Sequence, residues 1–153
     1  MQNLIEDLIT IYRTCEPWHK NLMSYEDAKD YHQKLFNKNI FVYEEEGVVR
    51  GYVEFWRITY DQFKRIRDGG YFSAYTEDIE SGNICFVANG WIDPMYRGSH
   101  VLKVLMLKVV RRNIDCLYFI ELARRRKERV YINLFKRSTI LRRAGELNGS
   151  GKN

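Results

Sequence analysis

The densest chemistry in this 153-residue chain lies at Arg97, Gly98, Ser99 and His100. They follow an apolar run ending at Trp91, Ile92 and Asp93. They precede Val101, Leu102, Leu105, Met106, Val109 and Val110, whose spacing predicts an amphipathic helix from about residue 100 to 112. A strand running into a helix presents backbone N–H groups with no partner inside the helix, and the helix dipole adds partial positive charge. Gly98 lets the backbone approach an anion, and Arg97 adds a planar cationic fork. Together they suit a phosphate. The plainer alternative is an ordinary strand-to-helix turn with Arg97 as surface charge.

The elements around this turn favour the first reading. Asn89 and Gly90 interrupt the strand predicted over 83–93, which points to a bulge that splays it from its neighbour. Unpaired backbone at such a splay can accept an extended, amide-containing ligand as a pseudo-strand. A further strand over 115–122 completes a parallel, right-handed crossover with the helix. Upstream, Leu4, Ile5, Leu8, Ile9 and Tyr12 mark a helix that stops near Thr14. Ser24 caps a second, which is expected to end by Asn39. Residues 40–44 and 48–59 read as a hairpin, 61–68 as a short charged helix or turn, and 71–82 as an irregular loop. After a charged turn at 124–129, residues 130–135 alternate as a last strand. The expectation is α/β: a mixed sheet flanked by helices in one domain over 1–146, with a frayed tail at 147–153.

A phosphate site beside an open strand edge is what a pantetheine diphosphate requires. Ile92-x-Pro94-x-Tyr96-Arg97-Gly98-x-x-Val101 resembles the signature of the GNAT superfamily of N-acetyltransferases, in which V-x-P-x-Y-R-G-x-G-x-G opens the long helix. The expected element order over 2–122 also fits that family. The resemblance implies a GNAT-like fold and acyl transfer from acetyl-CoA to an amine. It implies that acyl-CoA is held by Trp91, Ile92, Arg97, Gly98, Ser99, His100 and Val101. The family's second and third glycine positions are His100 and Leu102 here, so only Gly98 of three remains. His100 either fills the cradle or donates to a phosphate.

Acyl transfer to an amine needs a base for the nucleophile and an acid for the leaving thiolate. From the family pattern, Glu54 is the candidate base and Tyr131 the candidate acid. Two readings of Glu54 stand, facing the cleft or facing solvent on its strand. Tyr131 is either the acid or a packed aromatic. Asp93 lies near the turn and can simply cap it. The toxin-activating lysine acyltransferases, which share a GNAT-like core, use a histidine, and His19 is the residue in a comparable place.

Charge and composition bound the alternatives. Residues 1–100 carry 11 Lys/Arg against 16 Asp/Glu, whereas residues 101–153 carry 14 against 4. The basic part suits an anionic partner, either a phosphorylated cofactor or nucleic acid. Arg124, Arg125, Arg126, Lys127 and Arg129, followed by Lys136, Arg137, Arg142 and Arg143, support a rival reading. In it, a non-catalytic protein of this fold binds nucleic acid or a protein partner. Cys15, Cys85 and Cys116 are odd in number and set among apolar neighbours, as reduced thiols of a cytoplasmic protein would be. His19, His32 and His100 lie too far apart in sequence for a metal motif, so no metal is expected. The N-terminus lacks the pattern of a signal peptide, and no apolar run approaches the roughly 20 residues of a membrane span.

Overall fold

The computed structural model describes residues 2–14, 24–124 and 130–147. Helix α1 (Gln2–Thr14) and helix α2 (Tyr25–Leu35) lead into strands β1 (Ile40–Glu45) and β2 (Val48–Ile58). Helix α3 (Tyr60–Arg67) follows. Strand β3 (Ile84–Ile92), a 3-10 turn (Pro94–Tyr96), helix α4 (Val101–Arg112) and strand β4 (Tyr118–Arg124) form the crossover. Strand β5 (Val130–Lys136) and helix α5 (Arg137–Leu147) end the described chain.

Local chemistry explains the boundaries. The Ser24 side chain accepts from the Asp27 N–H at 3.1 Å, closing the first turn of α2. Thr59 and Gln62 form a reciprocal capping box, which decides in favour of a helix where the sequence left helix or turn open. Helix α2 stops at Leu35, within the expected limit at Asn39, because Phe36 leaves helical geometry and Asn37 has φ +60°. Strand β4 begins at Tyr118 rather than 115, since Asp115 is held by Arg57 and the Cys116 N–H closes a turn on Asn113. Helix α5 was not foreseen.

The five strands lie in the order β1-β2-β3-β4-β5, with β3 and β4 parallel and every other pair antiparallel. Both faces of β2 are covered. Tyr52 joins Leu8 and Ile11 of α1 and Tyr31 and Leu35 of α2, while Val53 and Phe55 pack on Val101, Leu105, Val109 and Val110 of α4. Gly51 makes the second packing possible: a Cβ there would sit 2.9 Å from Val101 Cγ1. Arg57 fastens one end of the sheet. Its Nε donates to the Gly82 carbonyl at 2.8 Å, and its two terminal nitrogens clasp the Asp115 carboxylate at 3.0 and 2.8 Å.

Cys85 and Cys116 are buried free thiols, and burial pushes both upward in pKa, away from nucleophilic duty. Among the described residues no helix is long and apolar enough to cross a membrane, and no three His, Cys, Asp or Glu side chains gather around a potential metal position. Cys15, His19 and residues 125–129 and 148–153 lie outside the described residues.

Candidate functional site

The expected bulge exists, one position before Asn89. Glu54 pairs with Asn89 and Phe55 with Val87, so Ala88 is the extra residue of β3. On the other side of β3 the parallel ladder joins Cys85, Val87 and the residue between them to Phe119, Ile120 and Glu121, and stops there. Beyond Val87 the ladder between β3 and β4 does not continue, while β4 runs on against β5 to Arg124. The two parallel strands therefore part towards the end from which α4 departs.

The turn between β3 and α4 is fixed by its own side chains. Asp93 accepts from the Met95 N–H at 3.0 Å and from Arg50 Nη1 at 3.1 Å, so it caps the 3-10 turn. Arg50 also lies over the Tyr96 ring at 5.3 Å, and the Tyr96 hydroxyl donates to Glu45. Arg97 folds back, donating from Nε to the Ile92 carbonyl at 3.1 Å, and remains exposed. Gly98 has φ +82°, and a Cβ there would touch nothing within 4 Å. The glycine is thus required by backbone conformation, and the space beside it is open.

Donors collect along this segment. The Val101 N–H reaches Ser99 Oγ at 3.4 Å. Among the described residues, the N–H groups of Gly98, His100, Leu102 and Lys103 have no acceptor. His100 precedes α4 without capping it through its side chain. Its ring turns to Tyr43 of β1, with Nε2 3.3 Å from the Tyr43 hydroxyl and the rings edge to face at 5.8 Å. Strand β1 lies on the opposite side of β2 and β3 from β4. The bulk that His100 introduces is therefore drawn away from the parted strands. Leu102, expected on the buried stripe of the helix, is 56% exposed in its first turn. An uncapped helix N-terminus with an open left-handed glycine and a cationic fork can hold a diphosphate.

Of the remaining residues expected to bind, Ile92 packs on the α4 face and Trp91 on the α1 and α2 face. Trp91 thus meets the site through its backbone on the parted strand, with its indole directed into the other core.

Glu54 is only 2% exposed, which rules out the solvent-facing reading. The sequence left both options open because β2 is buried on both faces, so alternation gives no polar side. The Glu54 carboxylate lies on the Tyr52 and Trp56 face. Its Oε2 accepts from the Tyr31 hydroxyl at 2.8 Å and from Trp56 Nε1 at 3.1 Å, whereas its Oε1 is buried without a partner. Burial pushes its pKa from 4.5 up to about 7, and the two hydrogen bonds restrain that rise. Tyr31 is raised well above the ordinary phenol range, first by burial and then by the Glu54 charge. Tyr31 and Trp56 were missed in the sequence. Trp56 shares a strand face with Glu54 at i+2, a signal available in principle; Tyr31 is 23 residues away on another element.

Tyr131 lies on β5 opposite Ala123. Three strand steps separate β5 from β2, at least about 14 Å at ~4.8 Å each and more where β3 and β4 part, so Glu54 and Tyr131 stand on different sides of the parting. Arg124 ends β4.

No protein-family model matches the chain, and no curated protein matches its sequence. Solved structures do resemble it. The GNAT-like decarboxylase GphF, in complex with isobutyryl-CoA, aligns at a TM-score of 0.55 with 15% identity, over 78% of this chain and 61% of that one. The loading GNATL domain of CurA from Lyngbya majuscula aligns at 0.52 with 18% identity, over 78% of this chain and 59% of that one. This chain spans about three-fifths of the length of each. Its mixed five-stranded sheet flanked by helices is a GNAT-like fold. The fold by itself assigns no reaction.

Proposed function

We propose that this protein is an acyl-CoA-dependent N-acyltransferase, moving an acyl group, acetyl in the simplest case, onto the amine of an acceptor. The observation that carries the reading is the parting of β3 from β4 after Val87, beside a helix N-terminus whose backbone donors are unused. A pantetheine arm carries amides that a strand edge can meet where its ladder stops, and its diphosphate matches the turn at 97–103. The acyl-CoA supplies an activated thioester. Gly98, Leu102 and Lys103 offer N–H groups to the diphosphate, and Arg97 offers its exposed guanidinium.

Glu54 is the proposed base. A carboxyl near 7 is matched to taking a proton from an amine at neutral pH, and the unpartnered Oε1 is the atom that accepts it. Tyr31 and Trp56 hold the other oxygen and so fix the direction in which Oε1 points. In the reaction a C–N bond forms and the C–S bond breaks. The amine proton passes to Glu54, and the thiolate leaves and is protonated. Tyr131, beyond the far bank of the opening, is the candidate acid for that thiolate.

The test is thermal unfolding of the purified protein with acetyl-CoA or isobutyryl-CoA added. A ligand at about 100 times its Kd stabilises the folded state by about 2.7 kcal/mol, so a clear upward Tm shift is expected. Arg97→Glu should abolish it. An unchanged Tm with both thioesters at millimolar concentration would remove the basis of the reading.

A further inference from the structure

Helices α4 and α5 lie on the same side of the sheet and pack together. Helix α5 starts where α4 ends: the Arg137 N–H donates to the Leu117 carbonyl at 2.9 Å, and its guanidinium reaches the Ile114 carbonyl. Ile140 then joins Met106, Val109 and Val110 in one cluster. The outward side of α4 is basic, and α5 adds three arginines against one acid, Glu146. Lys103, Lys108, Arg111 and Arg112 of α4 are exposed, as are Arg142 and Arg143 of α5 and Lys136 just before it.

An ordinary solvated helix surface mixes both signs, because opposite charges three or four residues apart support the helix. Helix α4 contains no acid at all. None of Lys103, Lys108, Arg111 and Arg112 takes part in an ion pair among the described residues; the four such pairs all join residues between 50 and 115 on other elements. The helix dipole accounts for Arg111 and Arg112 in the last turn of α4. It does not account for Arg137, which opens α5 at its positive end with no acid in the first turn. Holding like charges on two packed helices costs stability, and that cost is offset when a polyanion binds.

We propose that the α4–α5 face binds the phosphate backbone of nucleic acid, independently of base sequence. Lys103 to Arg112 spans about 14 Å of helix axis, along which a duplex carries about eight phosphate charges. The main cations of this face, Lys108, Arg111, Arg112 and Arg143, lie away from the parted strands, which adjoin the first turn of α4. The surface therefore stands whether or not the protein transfers acyl groups. An acyltransferase with this face would be recruited to nucleic acid or to proteins assembled on it.

The test is fluorescence anisotropy with a labelled DNA duplex or RNA strand of about 20 nucleotides, titrated at several salt concentrations between about 50 and 200 mM. Binding should weaken linearly on a log–log salt plot. The variant Lys108→Gln/Arg111→Gln/Arg112→Gln/Arg143→Gln should flatten the slope by about one for each side chain that had been neutralising a phosphate, and weaken binding at least tenfold at about 150 mM salt. Lys38→Gln/Lys64→Gln, on other elements, should bind as the parent does. The fourfold variant should keep the parent Tm and any acyl-CoA shift, which separates a lost surface from a lost fold. The proposal fails if the parent does not bind at about 50 mM salt, if the fourfold variant binds equally well, or if anionic phospholipid vesicles are bound in preference to both nucleic acids.

Discussion

Replacing Glu54 by Gln should make the protein more stable at neutral and alkaline pH. The folded protein holds the Glu54 proton up to about 7, whereas the unfolded chain releases it near 4.5. Between those values the folded state binds more protons than the unfolded one, so its stability falls as pH rises. The loss begins near 4.5, proceeds at up to ~1.4 kcal/mol per pH unit, and levels off above 7 after a total of about 3 kcal/mol. The substituted glutamine can still accept from Tyr31 and Trp56 through its carbonyl and has no proton to lose. Its amide, facing the place where Oε1 lacks a partner, adds a cost that does not change with pH. The assay is urea unfolding of both proteins at pH 4.5, 6, 7 and 8.5. All other titrating groups are shared, so they cancel in the difference between the two. That difference should shift in favour of the glutamine variant by about 3 kcal/mol across the window. A difference that stays flat would mean that Glu54 ionises normally, and the case for it as a poised base would collapse. Acyl transfer should disappear in the same variant, a gain in stability at the expense of activity.

Three further outcomes rest on the same interactions. Tyr31→Phe removes a hydrogen bond that favours the carboxylate, so the Glu54 titration seen by carbon NMR should move upward, by about half to one pH unit; a downward move would contradict the assigned donor. Gly98→Ala places a side chain at φ +82° and should lower unfolding stability by about 1–2 kcal/mol in urea, although no atom obstructs it. Leu102→Ala should tighten acetyl-CoA binding about threefold, roughly 0.7 kcal/mol, while His100→Ala should leave it nearly unchanged because that ring is engaged with Tyr43; calorimetry with acetyl-CoA distinguishes the two.

What could be read from the sequence was what depends on neighbours along the chain. The stripe of Leu4, Leu8 and Tyr12, the Ser24 cap and the Pro94-x-Tyr96-Arg97-Gly98 turn each announce themselves within a few residues, and the elements they imply are present. The bulge was legible to within one position because a glycine inside a strand marks irregular pairing. The actual extra residue is Ala88, which no local rule singles out. Glu54 was ambiguous because its burial is decided by α2, which brings Tyr31 to it from 23 residues away. The exposure of Leu102 follows from the same kind of cause: a helical stripe indicates which side faces the sheet, but in the first turn it is Val101 that packs on Gly51 of β2 while Leu102 stays open. Helix α5 escaped because its sequence is mostly charged and polar, and it is held chiefly through Ile140 against a helix about thirty residues earlier.

Arg57 gives the parted sheet a fixed closed end. It springs from β2 opposite Cys85, and its guanidinium crosses to Asp115 ahead of β4, while its Nε holds Gly82 ahead of β3. The gap between β3 and β4 is therefore a slot with a stop. An arm entering from the α4 side can slide inward only until it meets the paired residues at Val87 and Glu121. On the acyl-CoA reading, a longer guest would leave its excess outside, and the protein rather than the guest would set the depth of insertion.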